Sequence, residues 1–514
     1  MIISQAHKAV MVNNHIMPAI NLTRFDRTKQ VTYKGEDFTV LPDSLDTFEI
    51  LSKENVTYAG PITRYYSWPG QFTPFDHQIE TSDFLCRHRR AFVFNSIGTG
   101  KSLSALWAAD YLRRQGKVRK TLIVATLSTL WRVWADEIYK NFPGITFAVL
   151  HGSRQKRLSM LSKDKDFYII NHDGMKVLQA DLDARDDIDL VILDEGAQFR
   201  NAKTDKYKSL DVVAGVKSNR RLWWLTGSPM PNAPTDIWAQ ARMINPDLVP
   251  RYFSRFRDQV MTQRNQFLWV PKPNWEQQIY AMLKPSIRYT RDQCLDLPPC
   301  ITEVREVEMS KDQEKAYKSM CAEFIAEMKG GTVIAVNEGV RRNKLIQIAT
   351  GYVYDQNGVT HDLNCSAKYK ALIEAVEESG NKAIIFTPYR HSAESIAKQL
   401  KSKYTVGMVH GGVSTPIRSK IFSDFQDGDL QLIVAHPGCM AHGLTLTASS
   451  TIIWWGPVDS YEIYEQAIGR ITRPGQKLKQ TIVHLVCSDI EKKVYKRLGK
   501  KESMQGLLLE LLNT

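Results

Sequence analysis

Residues 91–102 read AFVFNSIGTGKS. Four apolar residues predict a short buried strand, a glycine-bearing loop follows, and from Ser102 an apolar-periodic stretch predicts a helix to Gln115, ended by Gly116. A strand that runs through such a loop straight into a helix is the context of a phosphate-binding loop. Gly98 and Gly100 let backbone N–H groups curl toward an anion with no Cβ in the way. Within the loop Asn95, Ser96, Ile97, Gly98, Thr99, Gly100, Lys101 and Ser102, the Lys101 ammonium is expected on the β- and γ-phosphates of ATP and the Ser102 hydroxyl on Mg²⁺. Asn95 stands where the commonest form of this motif has glycine.

Outward from that loop, short apolar strands at 91–94, 121–126, 147–150, 167–171, 190–193 and 221–225 alternate with amphipathic helices. A second series has strands at 382–387, 405–409, 430–435, 451–455 and 481–486. Both are the pattern of a parallel sheet covered on its two faces, so the expected fold class is α/β with two tandem lobes. The expected domains are an accessory segment (1–65), a first lobe (66–245), a linker with a helical insertion (246–365), a second lobe (366–490) and C-terminal helices (491–514). The stretch 246–310 is prolyl and reads as irregular, followed by helices at 311–329 and 337–349.

Asp194 and Glu195 end the apolar run LVIL. A carboxylate at a strand's carboxyl end suits Mg²⁺, and its neighbour can orient and deprotonate an attacking water. Gln78, in PFDHQ, carries an amide that can read the donor and acceptor of an adenine edge. Far downstream, residues 466–473 read QAIGRITR, and the spacing places Arg470 and Arg473 on one face of a predicted helix. Guanidinium groups delivered from a second domain can neutralise charge on a transferring phosphoryl group only when the domains close. A phosphate loop and an acidic pair in one lobe, with arginines in the other, describe a split ATPase.

The 514 residues carry a formal net charge of +13, which favours a polyanionic partner. The seven cysteines include no Cys-x-x-Cys pair, so reduced thiols are expected. The N-terminus lacks the basic and uninterrupted apolar regions of a signal peptide, and no apolar run nears the ~20 residues of a membrane span. A cytoplasmic or nucleoid-associated protein is expected, in the host cytoplasm if the source is viral. Trp223–Trp224 and Trp454–Trp455 lie inside apolar strands and are expected in the core.

In order along the chain, PFDHQ, NSIGTGKS, LIVATLSTLWRVWADE, FYIINHDGM, LDEGAQFRN, LTGSPMPN, KAIIFTPYRHSAE, VHGG, HGLTLTASSTIIWWGPVDSYEIYEQA and IGRITRPGQ resemble the successive motifs of helicase superfamily two. More narrowly, the set is similar to the Swi/Snf-type chromatin-remodeller and annealing-helicase branch of DNA translocases, in a compact, phage-like form. The resemblance spans roughly residues 70–510 and implies two RecA-like lobes. It further implies that Thr226, Gly227, Ser228 and Gln466 couple nucleotide state to lobe movement, and that Gly443 lies near the nucleotide. Thr126, Ser128, His172, His410 and Thr445 are implied near the nucleic-acid backbone. Ala197 stands where many relatives have histidine, and HPGCMAH (436–442) replaces a glycine-rich motif start.

The expected activity is therefore ATP-driven tracking along DNA, double-stranded or branched, with remodelling of forks, branched intermediates or protein–DNA complexes. A strand-separating DNA or RNA helicase is the alternative, and an ATP-gated scaffold for a polymerase or nuclease a further one. Residues 1–65 are a candidate protein-docking segment, and no membrane partner is expected.

Overall fold

The computed structural model describes all residues except 16–24, 26, 55, 57, 231, 266–268, 295–297, 330–334, 355–358, 381, 441–444, 474 and 512–514, and only the backbone of 323–329, 335–339 and 502–511. The chain divides into two compact units, Met1–Cys294 with Leu507–Thr514, and Leu295–Gly506.

The first unit opens with an antiparallel sheet of β1 (Ile2–Ser4), β2 (Ala9–Asn13), β3 (Lys29–Tyr33) and β4 (Glu36–Pro42), in the order β1-β2-β4-β3. Lys34 and Gly35 both have positive φ, the geometry that a two-residue hairpin between right-twisted strands demands. The helix Leu45–Lys53 starts where the Ser44 hydroxyl accepts from Thr47 N–H. One face of it gives Leu51 to a small core with Val10, Val12, Phe25 and Leu41. Leu45 and Phe48, on the same helix, enter the large core of the unit instead. Ion pairs Arg64–Asp43 and Arg221–Glu49, both 2.7 Å, reinforce the contact.

The large sheet of this unit is β5 (Arg90–Val93), β6 (Lys120–Ala125), β7 (Phe147–Leu150), β8 (Phe167–Asn171), β9 (Ile188–Leu193) and β10 (Arg221–Leu225). After an antiparallel pair, β11 (Met261–Gln263) with β12 (Trp269–Pro271), the chain returns as β13 (Ser286–Ile287). The order is β13-β5-β10-β9-β6-β8-β7, with every neighbour parallel. Strands covered on both faces need no polar alternation, which is why the runs LWWL and LVIL are apolar throughout. Trp223 and Trp224 are buried, as expected.

In the second unit, β14 (Cys300–Glu306) precedes the helices Lys311–Lys329 and Ala335–Ala349 and the hairpin β15 (Tyr352–Tyr354) and β16 (Thr360–Asp362). Then come β17 (Ala383–Phe386), β18 (Val406–Val409), β19 (Leu432–Ala435), β20 (Thr451–Trp454) and β21 (Gln480–Val486). Their order, β14-β21-β20-β17-β19-β18, is again parallel throughout. Trp454 and Trp455 are buried here as their setting predicts. Lys368 is buried against Glu491 at 2.8 Å, joining the helices Ser366–Glu378 and Asp489–Leu511. The fold is α/β with two parallel-sheet units, as the strand alternation predicts.

The stretch 246–310 is more regular than its prolines suggest: β13 edges the first sheet and β14 the second. β13 is only two residues long, and β14, CITEVRE, is exposed and mostly polar, so neither carries the apolar run that marks the other strands. Among the described residues no helix is long and apolar enough to cross a membrane. All seven cysteines are free.

His484 is buried on β21, with Nε2 2.9 Å from the Tyr464 hydroxyl and its ring stacked on Tyr495. Burial pulls its pKa from 6.5 to about 4. The folded value lies below the unfolded one, so the unfolded chain takes up the proton first and stability falls as pH drops across that window. The full loss is about 3 kcal/mol. Thermal unfolding of the second unit should therefore shift down between about pH 7 and pH 4; calorimetry of His484→Gln should show most of that slope gone.

Candidate active site

Because β5, β10, β9 and β6 are consecutive parallel neighbours, the loops that follow them emerge along one edge of the sheet. In spatial order these loops are 94–102, 226–228, 194–196 and 126–129. Four segments widely separated in sequence are thus brought side by side, at ~4.8 Å per strand.

The glycine loop has the predicted build. Gly98 and Gly100 adopt φ of +90° and +79°, and Gly100 opens the helix Lys101–Arg114, which places Lys101 and Ser102 in its first turn. The positive φ favours glycine at Gly100, and a Cβ there, 2.0 Å from Gln78 Nε2, would also push that amide aside. Lys101 Nζ donates to the carbonyls of Asn95 (2.8 Å) and Ser96 (3.1 Å). Thr99 Oγ1 donates to Ser96 C=O, a bond internal to the loop. A Cβ on Gly227 would lie 3.3 Å from Ile97 Cγ1, Thr226 N–H donates to Val93 C=O, and Ser228 N–H donates to Thr226 Oγ1. The 226–228 segment thus lies beside the glycine loop.

Gln78 is buried beside the loop. Its Oε1 accepts from Phe75 N–H at 3.0 Å and its Nε2 lies 3.4 Å from Thr99 C=O. The amide therefore caps its own helix, Asp76–Arg87, while touching the loop. His77, one residue earlier, donates to the same Thr99 carbonyl at 2.9 Å. The Asn95 side chain turns away from the loop's interior, toward Thr81 Oγ1 (2.9 Å) and Tyr289 N–H (3.0 Å).

At the end of β9, Asp194 Oδ2 accepts from the indole of Trp134 (3.0 Å) and Oδ1 from Glu195 N–H (3.1 Å). Burial and the adjacent Glu195 carboxylate push the Asp194 carboxyl above its usual range, opposed by the Trp134 bond and the Lys101 charge. Glu195 has φ of +51°, a conformation that costs a non-glycine residue ~1–2 kcal/mol. Next to it, the buried Trp224 indole leaves no room at Gly196 for a side chain. A carboxylate and a hydroxyl are hard oxygen donors of the kind Mg²⁺ takes, and a divalent charge there would reverse the rise in the Asp194 pKa. No group of three or more His, Cys, Asp or Glu gathers as a metal cluster among the described residues. A cation held here would take its remaining ligands from phosphate and water.

His172 is buried, donating through Nε2 to Asp194 C=O (2.9 Å), with Nδ1 3.2 Å from Gln198 Oε1. Burial lowers its pKa. Thr126 Oγ1 lies 3.2 Å from Ser128 Oγ and 3.1 Å from Thr129 Oγ1, and of these only Ser128 is partly open to solvent.

In the second unit, one local expectation is corrected. The helix Tyr461–Ile468, which carries Gln466, ends before Arg470. Gly469 is its C-cap, and successive i→i+3 bonds from Arg470 N–H to Ala467 C=O and from Ile471 N–H to Ile468 C=O turn the chain. Pro474 disfavours helical backbone at Arg473, so a turn replaces the predicted helix face. The turn still brings motif residues together. Leu446 N–H donates to Arg470 C=O, and Arg473 Nη1 lies 3.5 Å from Thr445 Oγ1. Arg470 is buried and Thr445 exposed. His410 follows β18, where its Nδ1 accepts from Gly412 N–H at 3.1 Å. Gly443 lies outside the described residues.

Trp134 and Tyr289 were not singled out by sequence, and Trp224 was read only as a core residue. Nothing local distinguishes an aromatic that supports a site from one that only fills a core.

A parallel sheet bearing a glycine phosphate loop and an acidic pair on one edge defines a P-loop ATPase unit. A model of the SNF2-related domain matches residues 77–352, and one of the helicase conserved C-terminal domain matches 367–475. The chain belongs to the SNF2-related family of helicase-type, nucleic-acid-dependent ATPases. It is 26% identical over 471 residues to putative protein p41 of Acyrthosiphon pisum secondary endosymbiont phage 1, covering 86% of this chain and 99% of that protein. It is 22% identical to a Drosophila ananassae DNA repair and recombination protein RAD54-like and to the Saccharomyces cerevisiae ISWI chromatin-remodeling complex ATPase ISW1. These matches cover 84% and 86% of this chain but only 62% and 41% of those proteins. The Sulfolobus solfataricus SWI2/SNF2 ATPase core in complex with dsDNA aligns at 21% identity and a TM-score of 0.42, over 85% of this chain and 93% of that one.

Gly196→Ala should cost about 1–3 kcal/mol through overpacking, since its new methyl would sit 1.9 Å from Trp224 Nε1. Urea unfolding of the first unit should show that loss, with part of it recovered in Gly196→Ala/Trp224→Phe.

Proposed function

We propose that this chain is a Mg-ATP-dependent motor that tracks along DNA, duplex DNA in particular, and remodels forks, branched intermediates or protein–DNA complexes. The observation that carries the proposal is one edge of one sheet bearing Lys101, Ser102, Asp194 and Glu195, in a chain whose second unit gathers Thr445, Arg470 and Arg473 around one turn. In this reading residues 66–245 and 366–490 are the motor lobes, 246–365 links them with a helical insertion, 1–65 is accessory and 491–514 C-terminal.

In the catalytic cycle, the Lys101 ammonium leaves the carbonyls of Asn95 and Ser96 for the β- and γ-phosphates. Ser102 and Asp194 would hold Mg²⁺, which when bound would supply positive charge to the phosphates. Glu195 orients the attacking water and accepts its proton, from a backbone already fixed in the left-handed region. Arg470 and Arg473 neutralise the equatorial oxygens, which makes hydrolysis depend on both units and ties it to movement. Thr226–Ser228, beside the loop, report its state to the rest of the sheet edge. Grip on DNA through phosphates suits a partner read without regard to sequence. Relatives named for DNA repair and recombination and for chromatin remodeling favour DNA as that partner.

Steady-state ATPase at one fixed salt concentration, without nucleic acid and then with blunt duplex, single-stranded DNA, forked DNA and RNA, tests this. Blunt duplex should stimulate turnover most; stimulation by single strands or RNA alone would transfer the chain to the strand-separating class. Lys101→Ala, Glu195→Gln and Arg470→Ala should each lower kcat by about a hundredfold or more. Arg470→Ala should still bind ATP. Retained turnover in any of the three would overturn the site.

A further inference from the structure

The loop that starts at Asn95 is bonded to the segment by which the chain leaves the first unit. Carbonyls of Pro285, Ile287 and Tyr289 accept from the N–H groups of Phe92 (3.0 Å), Phe94 (2.9 Å) and Ser96 (2.9 Å). The ladder thus runs past the end of β5 onto the glycine loop itself. Tyr289 N–H, in turn, donates to Asn95 Oδ1, so Asn95 and Ser96 hold both polar groups of one peptide residue. Beyond Tyr289, after the short helix Arg291–Cys294, the first unit ends.

The helix Asp76–Arg87 closes the arrangement. His77, Glu80 and Thr81 share one face by their i, i+3, i+4 spacing. His77 holds Thr99 C=O of the loop, Glu80 accepts from the Tyr289 hydroxyl, and Thr81 Oγ1 accepts from Asn95 Nδ2. Asn95 is buried and spends its amide on both neighbours, one bond to the helix and one to the exit segment. Glycine, the commonest residue at this position of the motif, can make neither bond.

We propose that Asn95 is a positioning residue that ties the conformation of the phosphate loop to residues 285–294, so that a change of nucleotide state is felt where the chain departs for the second unit. This rests on the reading of the loop as the nucleotide site. When Lys101 exchanges the carbonyls of Asn95 and Ser96 for phosphate oxygens, those two residues lose a cation from one side. Their other side holds Tyr289, and the resulting shift passes to it through two hydrogen bonds.

The test is hydrogen–deuterium exchange of the full chain, with and without saturating Mg-adenylyl imidodiphosphate, read at peptides covering 285–294. In the natural sequence nucleotide should change their protection. In Asn95→Ala, which keeps the backbone bond from Ser96 N–H to Tyr289 C=O, that change should shrink at least twofold while nucleotide still binds. DNA-stimulated kcat should fall about tenfold, the scale of one lost buried hydrogen bond, with KM for ATP moving less than about threefold. Thr81→Val removes the helix-side bond from its other end and should act in the same direction, and the double variant should lose no more than Asn95→Ala alone. If Asn95→Ala unfolds, Thr81→Val decides. Saturated protein whose 285–294 protection does not respond to nucleotide, or an Asn95→Ala chain that keeps more than half of the response, would overturn the proposal. A natural chain that binds no nucleotide would instead reject the phosphate-loop reading beneath it.

Discussion

Parallel pairing of β5, β10, β9 and β6 is the constraint on which the first unit's chemistry depends. Each strand contributes little alone: a short, mostly apolar run, and then a loop. Only because neighbours run the same way do their carboxyl ends meet, and only then do Lys101, Thr226, Asp194 and Thr126 share one edge. The burial of Trp223 and Trp224 on β10, and of Ile192 and Leu193 opposite them on β9, is what holds the register. A slip by one residue would turn those side chains to the opposite face and misplace every loop.

Around that edge, buried polar groups support one another in a chain. Trp134 and Glu195 N–H bond the Asp194 carboxylate, and His172 bonds its carbonyl. Burial lowers the His172 pKa, while its bonds to Asp194 and Gln198 oppose that shift. Resemblance implies that His172 lies near nucleic acid; within the unit its side chain supports the acidic pair. Likewise Gln78 serves its own helix and the loop together. Residues of a motif need not face the ligand to be required by it.

The sheet strands, the loop at 95–102 and the Asp194–Glu195 pair were legible because each has a local signature: an apolar run, glycines at fixed offsets, charge at a strand end. The strands β13 and β14 were not, since one is two residues long, the other is mostly polar and exposed, and nearby prolines suggest loop. Arg470 and Arg473 stand out by their spacing, yet the helix ends at Ile468, before either. Helical spacing looked persuasive, while Gly469 and Pro474 carried the decisive information about where the helix stops. The partners of Asn95 lie 14 residues before it and 194 after it, a distance no local pattern spans.

Glu195 combines a left-handed backbone with a glycine neighbour that has no space for a methyl group and an indole that fills that space. The three positions are therefore not independent under mutation. Enlarging residue 196 is tolerable only after Trp224 has shrunk, and shrinking Trp224 first opens a void in a close-packed sheet. Each single step passes through a poorer protein, although the paired change need not. Divergence of this short stretch among relatives should thus proceed by linked substitutions, with residues 196 and 224 covarying across otherwise unrelated sequence backgrounds.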